Sequence, residues 1–234
     1  MSQFTLAFPV YVEMDEIFSV TEDVEIATDT KTVMIPGCSL KFEVDRQPPS
    51  PDEFFEKFLD TCVFGITPDE EDEIVNHESL ILLRGNVKSI EDVRMVNVAI
   101  LKMLDAGAIG VGMHEAGLAW TAEVFRGLDI GDRPMYPWIG GRLTADNMVY
   151  TLGLAVFALP DLCTSYLAEV SSELLNKVAY ALFVDGVPAK AGSVIDFGDG
   201  ERYELCQELN EKLNRRYSED APENKLGLLR VVKK

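Results

Sequence analysis

The stretch SLILLRGNVKSIEDVRMVNVAILKMLDAGAIGVGM, residues 79–113, decides the fold class. Residues 79–85 are an apolar run of strand length, closed by Gly85. Ser89 then reads as a helix N-cap with Asp92 three residues on. Ile90, Val93, Val96, Ile100, Leu101 and Leu104 follow at helical spacing and make one apolar stripe. Asp105-Ala106-Gly107 stops that helix, and AIGVGM at 108–113 reads as the next strand. Strand, helix and strand in this order predict a right-handed crossover between parallel strands.

Outward from this unit the pattern mixes strands, helices and hairpins. FTLAFPVYV at 4–12 predicts a strand, and Pro9, which has no N–H, assigns it to an edge or a bulge. TVMIPGCSLKFEV at 32–44 predicts two extended pieces around Pro36-Gly37. In QPPSPDEFFEKFLDTCVFG, 47–65, Ser50 reads as N-cap, Pro51 as the first helical residue and Glu53 as the partner in a capping box. Phe54, Phe55, Phe58, Leu59 and Cys62 share one face of that helix and read as core. TPDEEDEIVNHE at 67–78 reads as an acidic loop, and TAEVFRGL at 121–128 as a short helix. RPMYPWIGGRL and NMVYTLGLAVFAL predict two strands, and Thr164 reads as the cap of a long helix to about Phe183. SVIDFGDGERYELC at 193–206 predicts a hairpin turning at Asp199-Gly200, and LGLLRVV at 226–232 a last strand. The expectation is a single α+β domain over 1–234, with a mixed β-sheet packed against a few amphipathic helices and a polar C-terminal segment at 207–225.

Charge narrows the function classes. The 234 residues carry 40 acidic against 21 basic side chains, a net charge of -19. Such a surface repels phosphate backbones and anionic lipid, so no nucleic acid and no membrane are expected as partners. It attracts a basic protein partner. Cys38, Cys62, Cys163 and Cys206 stand apart, with no C-x-x-C pair, and read as reduced thiols of a cytoplasmic protein. No basic residue precedes the first apolar run, so no signal peptide is expected. The apolar run at 148–159 is too short to span a bilayer. No phosphate-cradling glycine loop, dinucleotide fingerprint or nucleophile elbow is present, and no cofactor is expected.

Five residues are candidates for binding: His77, His114, Glu115, Trp138 and Asp161. In HEAGL, Leu118 stands where a helical H-E-x-x-H zinc motif needs its second histidine, so no metal ligand is assigned. His77 precedes one strand of the crossover and His114 follows the other. At ~3.3 Å per residue they lie ~20 Å apart, so one site does not use both. The acidic runs DEEDE at 69–73 and DFGDGE at 196–201 lack calcium-loop spacing.

NHESLILLRG (76–85), GAIGVGMHEAGLAWTAEVF (107–125), PMYPWIGGRL (134–143), MVYTLGLAVFALPDL (148–162) and LLNKVAYALFVDGVPAKAGSVI (174–195) occur in this order. The ordered set, over residues 76–195, resembles the bacterial Domain of Unknown Function 4261 family. His77 matches its opening histidine, Pro134 and Trp138 its tryptophan segment, and Thr151, Gly153, Leu154 and Phe157 its glycine segment. Ala158 stands where the family has glycine, and Asp161 where it has glutamate. The resemblance implies a fold-level relative and no reaction.

Asp161 is further expected at a helix N-terminus, where the dipole favours a carboxylate. Two functional readings follow. The first is a non-enzymatic binding protein, of immunity or regulatory type, whose acidic surface receives a basic partner. The alternative is a small-ligand or metal-dependent enzyme with a carboxylate-rich site at His114, Glu115, Trp138 and Asp161.

Overall fold

Period-two alternation in QFTLAFPV starts the first sheet. In β1 (Gln3–Val10), Phe4, Leu6, Phe8 and Val10 take one face and are buried, while Thr5 and Ala7 on the other are half-buried. The computed structural model describes residues 3–11, 25–26, 32–34, 38, 40–49, 51–144, 147–165, 169–198, 200–220 and 224–234. In it β1 pairs antiparallel with β5 (Ser79–Asn86) on one side and with β6 (Gly110–Met113) on the other. β2 (Glu25–Ile26), β3 (Thr32–Met34), β4 (Lys41–Gln47) and β7 (Leu118–Thr121) complete an antiparallel sheet in the order β2-β3-β4-β5-β1-β6-β7.

This order alters the expected crossover. β5 and β6 both run antiparallel to β1, so they are parallel to each other, as the sequence predicts. They are not neighbours, because β1 lies between them. Pro9 therefore sits in a central strand and not at an edge. Regular pairing of β1 with β6 stops at Ala7–Gly112, and the Ile109 N–H, one residue out of register, donates to the Pro9 carbonyl at 3.0 Å. The donor that proline lacks faces this irregular step, where no ladder bond asks for it.

The helices of this unit follow their caps. α1 spans Pro51–Thr61 and α2 spans Pro68–Val75. The second corrects the acidic loop expected at 67–78. Thr67 Oγ1 accepts from the Glu70 N–H, the Glu70 carboxylate accepts from the Thr67 N–H, and Pro68 opens the helix. Asp69, Glu70 and Glu71 in the first turn favour the positive end of the dipole. α3 (Ile90–Asp105) starts at the expected Ser89–Asp92 capping box and buries Val93, Val96, Ile100 and Leu104 of its stripe. Thr121 caps α4 (Ala122–Arg126). The expected cap at Ser50 and turns at Pro36-Gly37 and Asp199 lie outside the described residues.

Chain contacts divide the molecule into two compact units, Gln3–Pro137 and the rest from Trp138 to Lys234. The second has its own sheet, in the order β11 (Val194–Asp196), β12 (Arg202–Gln207), β13 (Leu228–Lys233), β10 (Asp161–Ser165), β9 (Met148–Leu152), β8 (Gly140–Leu143). β10 and β13 are parallel and the other pairs antiparallel, which makes this the mixed sheet of the expected α+β class. α5 spans Glu169–Phe183 and α6 spans Glu211–Asp220. Leu213 and Tyr217 of α6 join Met148, Tyr150, Leu152 and Cys163 in one buried cluster. Thr164, expected as a helix cap, is instead a strand residue whose hydroxyl donates to the Val231 carbonyl at 3.1 Å. Among the described residues no helix is long and apolar enough to cross a membrane.

Candidate functional site

Residues 51–78 contain ten carboxylates and one lysine, Lys57. On α1 and α2 the side chains of Glu53, Glu56, Asp60, Asp69, Glu71, Asp72 and Glu73 are exposed. The two helices pack through Phe58 and Ile74, with Phe54, Phe55, Cys62 and Ile66 against them. Leu59, expected in the core, is 47% exposed. It lies one position past buried Phe58, about 100° further round the helix, so it shares the outward face with Glu56 and Asp60. Val63 and Phe64 follow at 40% and 64% exposure.

These apolar side chains are held in place. Cys62 forms an isolated bridge with Ala119, and the Val63 N–H donates to the Ala119 carbonyl at 3.3 Å. The Phe64 ring lies 5.9 Å from that of Trp120, which is buried and donates its indole N–H to the Pro137 carbonyl at 2.9 Å. Burial pushes the Glu70 carboxyl up, but hydrogen bonds from Thr121 and Thr67 outweigh it and hold the group below its ordinary value. The result is a surface of three exposed apolar side chains set among acidic ones. An exposed apolar patch with a polar surround is what a partner surface presents.

The predicted candidates separate between the two units. His77, His114 and Glu115 belong to the first, Trp138 and Asp161 to the second. His77 is buried. Its Nδ1–H donates to the Ile74 carbonyl at 2.6 Å, satisfying one of the open acceptors at the end of α2, and its ring faces Phe54 at 5.4 Å. His114 and Glu115 stand in the turn between β6 and β7. His114 Nδ1 lies 3.3 Å from Lys57 Nζ. Both carboxylate oxygens of Glu115 are engaged by Thr5, one accepting from its hydroxyl at 3.0 Å and the other from its N–H. Trp138 is buried at the end of the one-turn helix Tyr136–Trp138. Among the described residues no three of His, Cys, Asp or Glu converge as a metal would require.

Asp161 is not at the N-terminus of the long helix. It opens β10, 1% exposed, and its carboxylate accepts four hydrogen bonds. The Thr151 hydroxyl and the Leu154 N–H donate to Oδ1 at 3.0 and 3.2 Å; the Tyr217 hydroxyl, at 3.0 Å, and the Asn224 amide donate to Oδ2. It thus caps the one-turn helix Leu154–Phe157 and ties α6 and the loop before β13 to the sheet. Burial pushes its carboxyl up to about 6, against the pull of Asn224, Tyr217, Leu154 and Thr151, because no cation accompanies the donors. Burial and then Asp161 push the Tyr217 hydroxyl up as well.

A second polar cluster escaped the sequence reading. Arg230 grips buried Glu208 with two bonds, at 2.6 and 3.1 Å, while the Asn210 N–H and the Cys163 thiol also donate to it. Burial raises the Glu208 carboxyl, but Arg230, Asn210 and Cys163 outweigh that and hold it low. Burial and Glu208 push the Cys163 thiol far up, so it stays protonated and unreactive. In the sequence only Arg230, flanked by leucines and valines, stands out, because Glu208 lies in the polar stretch QELNEK. The chain matches no protein-family model, no curated protein and no solved structure.

Proposed function

We propose that this is a non-enzymatic, cytoplasmic binding protein that receives a basic protein partner on the α1–α2 face. The observation that carries the reading is the exposed trio Leu59, Val63 and Phe64 within a segment, residues 51–78, that bears ten carboxylates. The partner presents one or two apolar side chains among lysines and arginines. Apolar contact supplies the hold, and the charge of -19 supplies the encounter rate and the selection against acidic competitors. Four free cysteines, two buried and two half-buried, suit a reducing compartment. The resemblance to the Domain of Unknown Function 4261 family supplies no reaction to set against this reading.

The test uses the full chain as bait, identifies what it retains, and measures the purified pair. The expected partner is basic, and its affinity falls at least about tenfold between roughly 0.05 M and 0.5 M salt. Phe64→Ser lowers the affinity by a similar factor, and Lys57→Glu leaves the partner bound. A partner whose affinity ignores both salt and Phe64→Ser sinks the proposal.

A further inference from the structure

The open face of the first sheet is hollow beneath α1. Ala7, Gly112 and Ala119 are cross-strand neighbours there, a row of small residues. Two residues earlier on the same face, at Gly110, the Phe58 ring fills the space, and a Cβ there would lie 2.9 Å from it. At Gly112 a Cβ would meet nothing nearer than 3.8 Å. The space left open is a cavity of about 450 Å³, within the range of sites that enclose small molecules. Its floor is apolar, with Leu80 and Leu82 of β5 on the same face as Ala7.

The rim mixes basic and acidic side chains. Lys57, Arg84 and His114 reach it, against one carboxylate, Glu53, in a chain where acids outnumber bases 40 to 21. A lysine ammonium only donates, so His114 Nδ1 accepts from Lys57 and its Nε2 is left to carry the ring N–H. The imidazole thereby steadies the ammonium at the mouth without neutralising it. No carboxylate of the described residues lies within ion-pair distance of Lys57, whereas Arg84 stands 3.7 Å from Asp45. Lys57, which forms no ion pair with a described carboxylate, places an ammonium donor beside an apolar hollow, and this suits a single negative charge on an apolar body.

We propose that this cavity binds a free monocarboxylate with a hydrocarbon body, the chain lying over Ala7, Gly112, Leu80 and Leu82 and the carboxylate meeting Lys57 and the His114 N–H. The proposal does not depend on the partner surface, since Leu59, Val63 and Phe64 do not line the cavity.

The test is calorimetric titration of the full chain with decanoate, decanol and butyrate, each below its aggregation limit. Decanoate binds once per chain; decanol, without the charge, and butyrate, without the body, bind at least about tenfold more weakly. Lys57→Ala weakens decanoate about tenfold and leaves decanol unchanged. Gly112→Val fills the hollow and abolishes decanoate binding with an unaltered circular-dichroism spectrum. Leu209→Ser, at a site 81% exposed in the second unit, leaves binding intact and excludes surface adsorption. Should Gly112→Val unfold, Lys57→Ala, at an exposed helical position, decides alone. Absence of saturable decanoate binding, equal affinity for decanol, or undiminished binding by Lys57→Ala overturns the proposal.

Discussion

Asp161 should make the native state weaker as the pH rises from about 4 to about 7, against the trend set by the other buried acids. Its carboxyl is 1% exposed, has four donors and no cation, and titrates at about 6 in the fold against an ordinary 3.8. The folded value is the raised one. The native chain therefore keeps a proton that the unfolded chain has already released, and this stability is complete below the ordinary value. It is lost as the pH climbs through about 6. A gap of about two units corresponds to about 3 kcal/mol. The assay is urea denaturation of the wild type and Asp161→Asn across this range. The amide costs a constant amount because the Asn224 amide then faces another donor, and it cannot titrate. Glu208 and Glu70, both held low, lose stability in acid equally in the two proteins and cancel. The difference in unfolding free energy, wild type minus variant, should shrink by about 3 kcal/mol between the ends of the range. A difference that stays flat would mean that the four donors hold the carboxylate ionised throughout, and the argument from burial would fail.

Gly110→Ala should cost about 1–3 kcal/mol, because its Cβ would lie 2.8 Å from the Trp120 carbonyl and 2.9 Å from Phe58, while Gly112→Ala should be nearly neutral. Equal melting temperatures for the two would contradict the close approach. Glu208→Ala should cost about 3 kcal/mol by leaving the Arg230 guanidinium and the Asn210 N–H without their acceptor, and Glu208→Gln should cost less. Denaturation midpoints within error of the wild type for both would show that the cluster does not hold β13 to β10.

Local signals carry most of the elements and, of the strand order, little beyond the hairpin of β11 and β12. The Ser89–Asp92 cap, the stripe of α3 and the alternation of β1 rest on residues within a few positions of each other, and all are found. What β5 pairs with depends on β1, about seventy residues away, and no local periodicity records that. At 67–78 the charge suggests solvent, although Thr67, Pro68 and Glu70 spell a helix start. The Thr164 error has the reverse cause, since a hydroxyl before an apolar stripe also occurs in strands, where it donates across to a neighbour. Of the candidate residues, Asp161 was visible as an acid in an apolar context, but its four donors come from positions 151, 154, 217 and 224. The hollow under α1 was invisible, because it consists of small side chains opposed across β1 and β6.

The central place of β1 has a cost in time. Leu6 finds its neighbour Met113 only after 107 further residues have been made, and at roughly 5–20 residues per second that delay is about 5–20 s. Until β5 emerges at residues 79–86, Phe4, Leu6, Phe8 and Val10 form one greasy face with neither flanking strand to join, the condition under which nascent chains stick to one another or recruit chaperones. The same topology leaves a slot between β5 and β6 that a detached copy of QFTLAFPV has the register to enter. A ribosome-bound fragment ending before residue 79 therefore has its keystone already in hand and nowhere to set it.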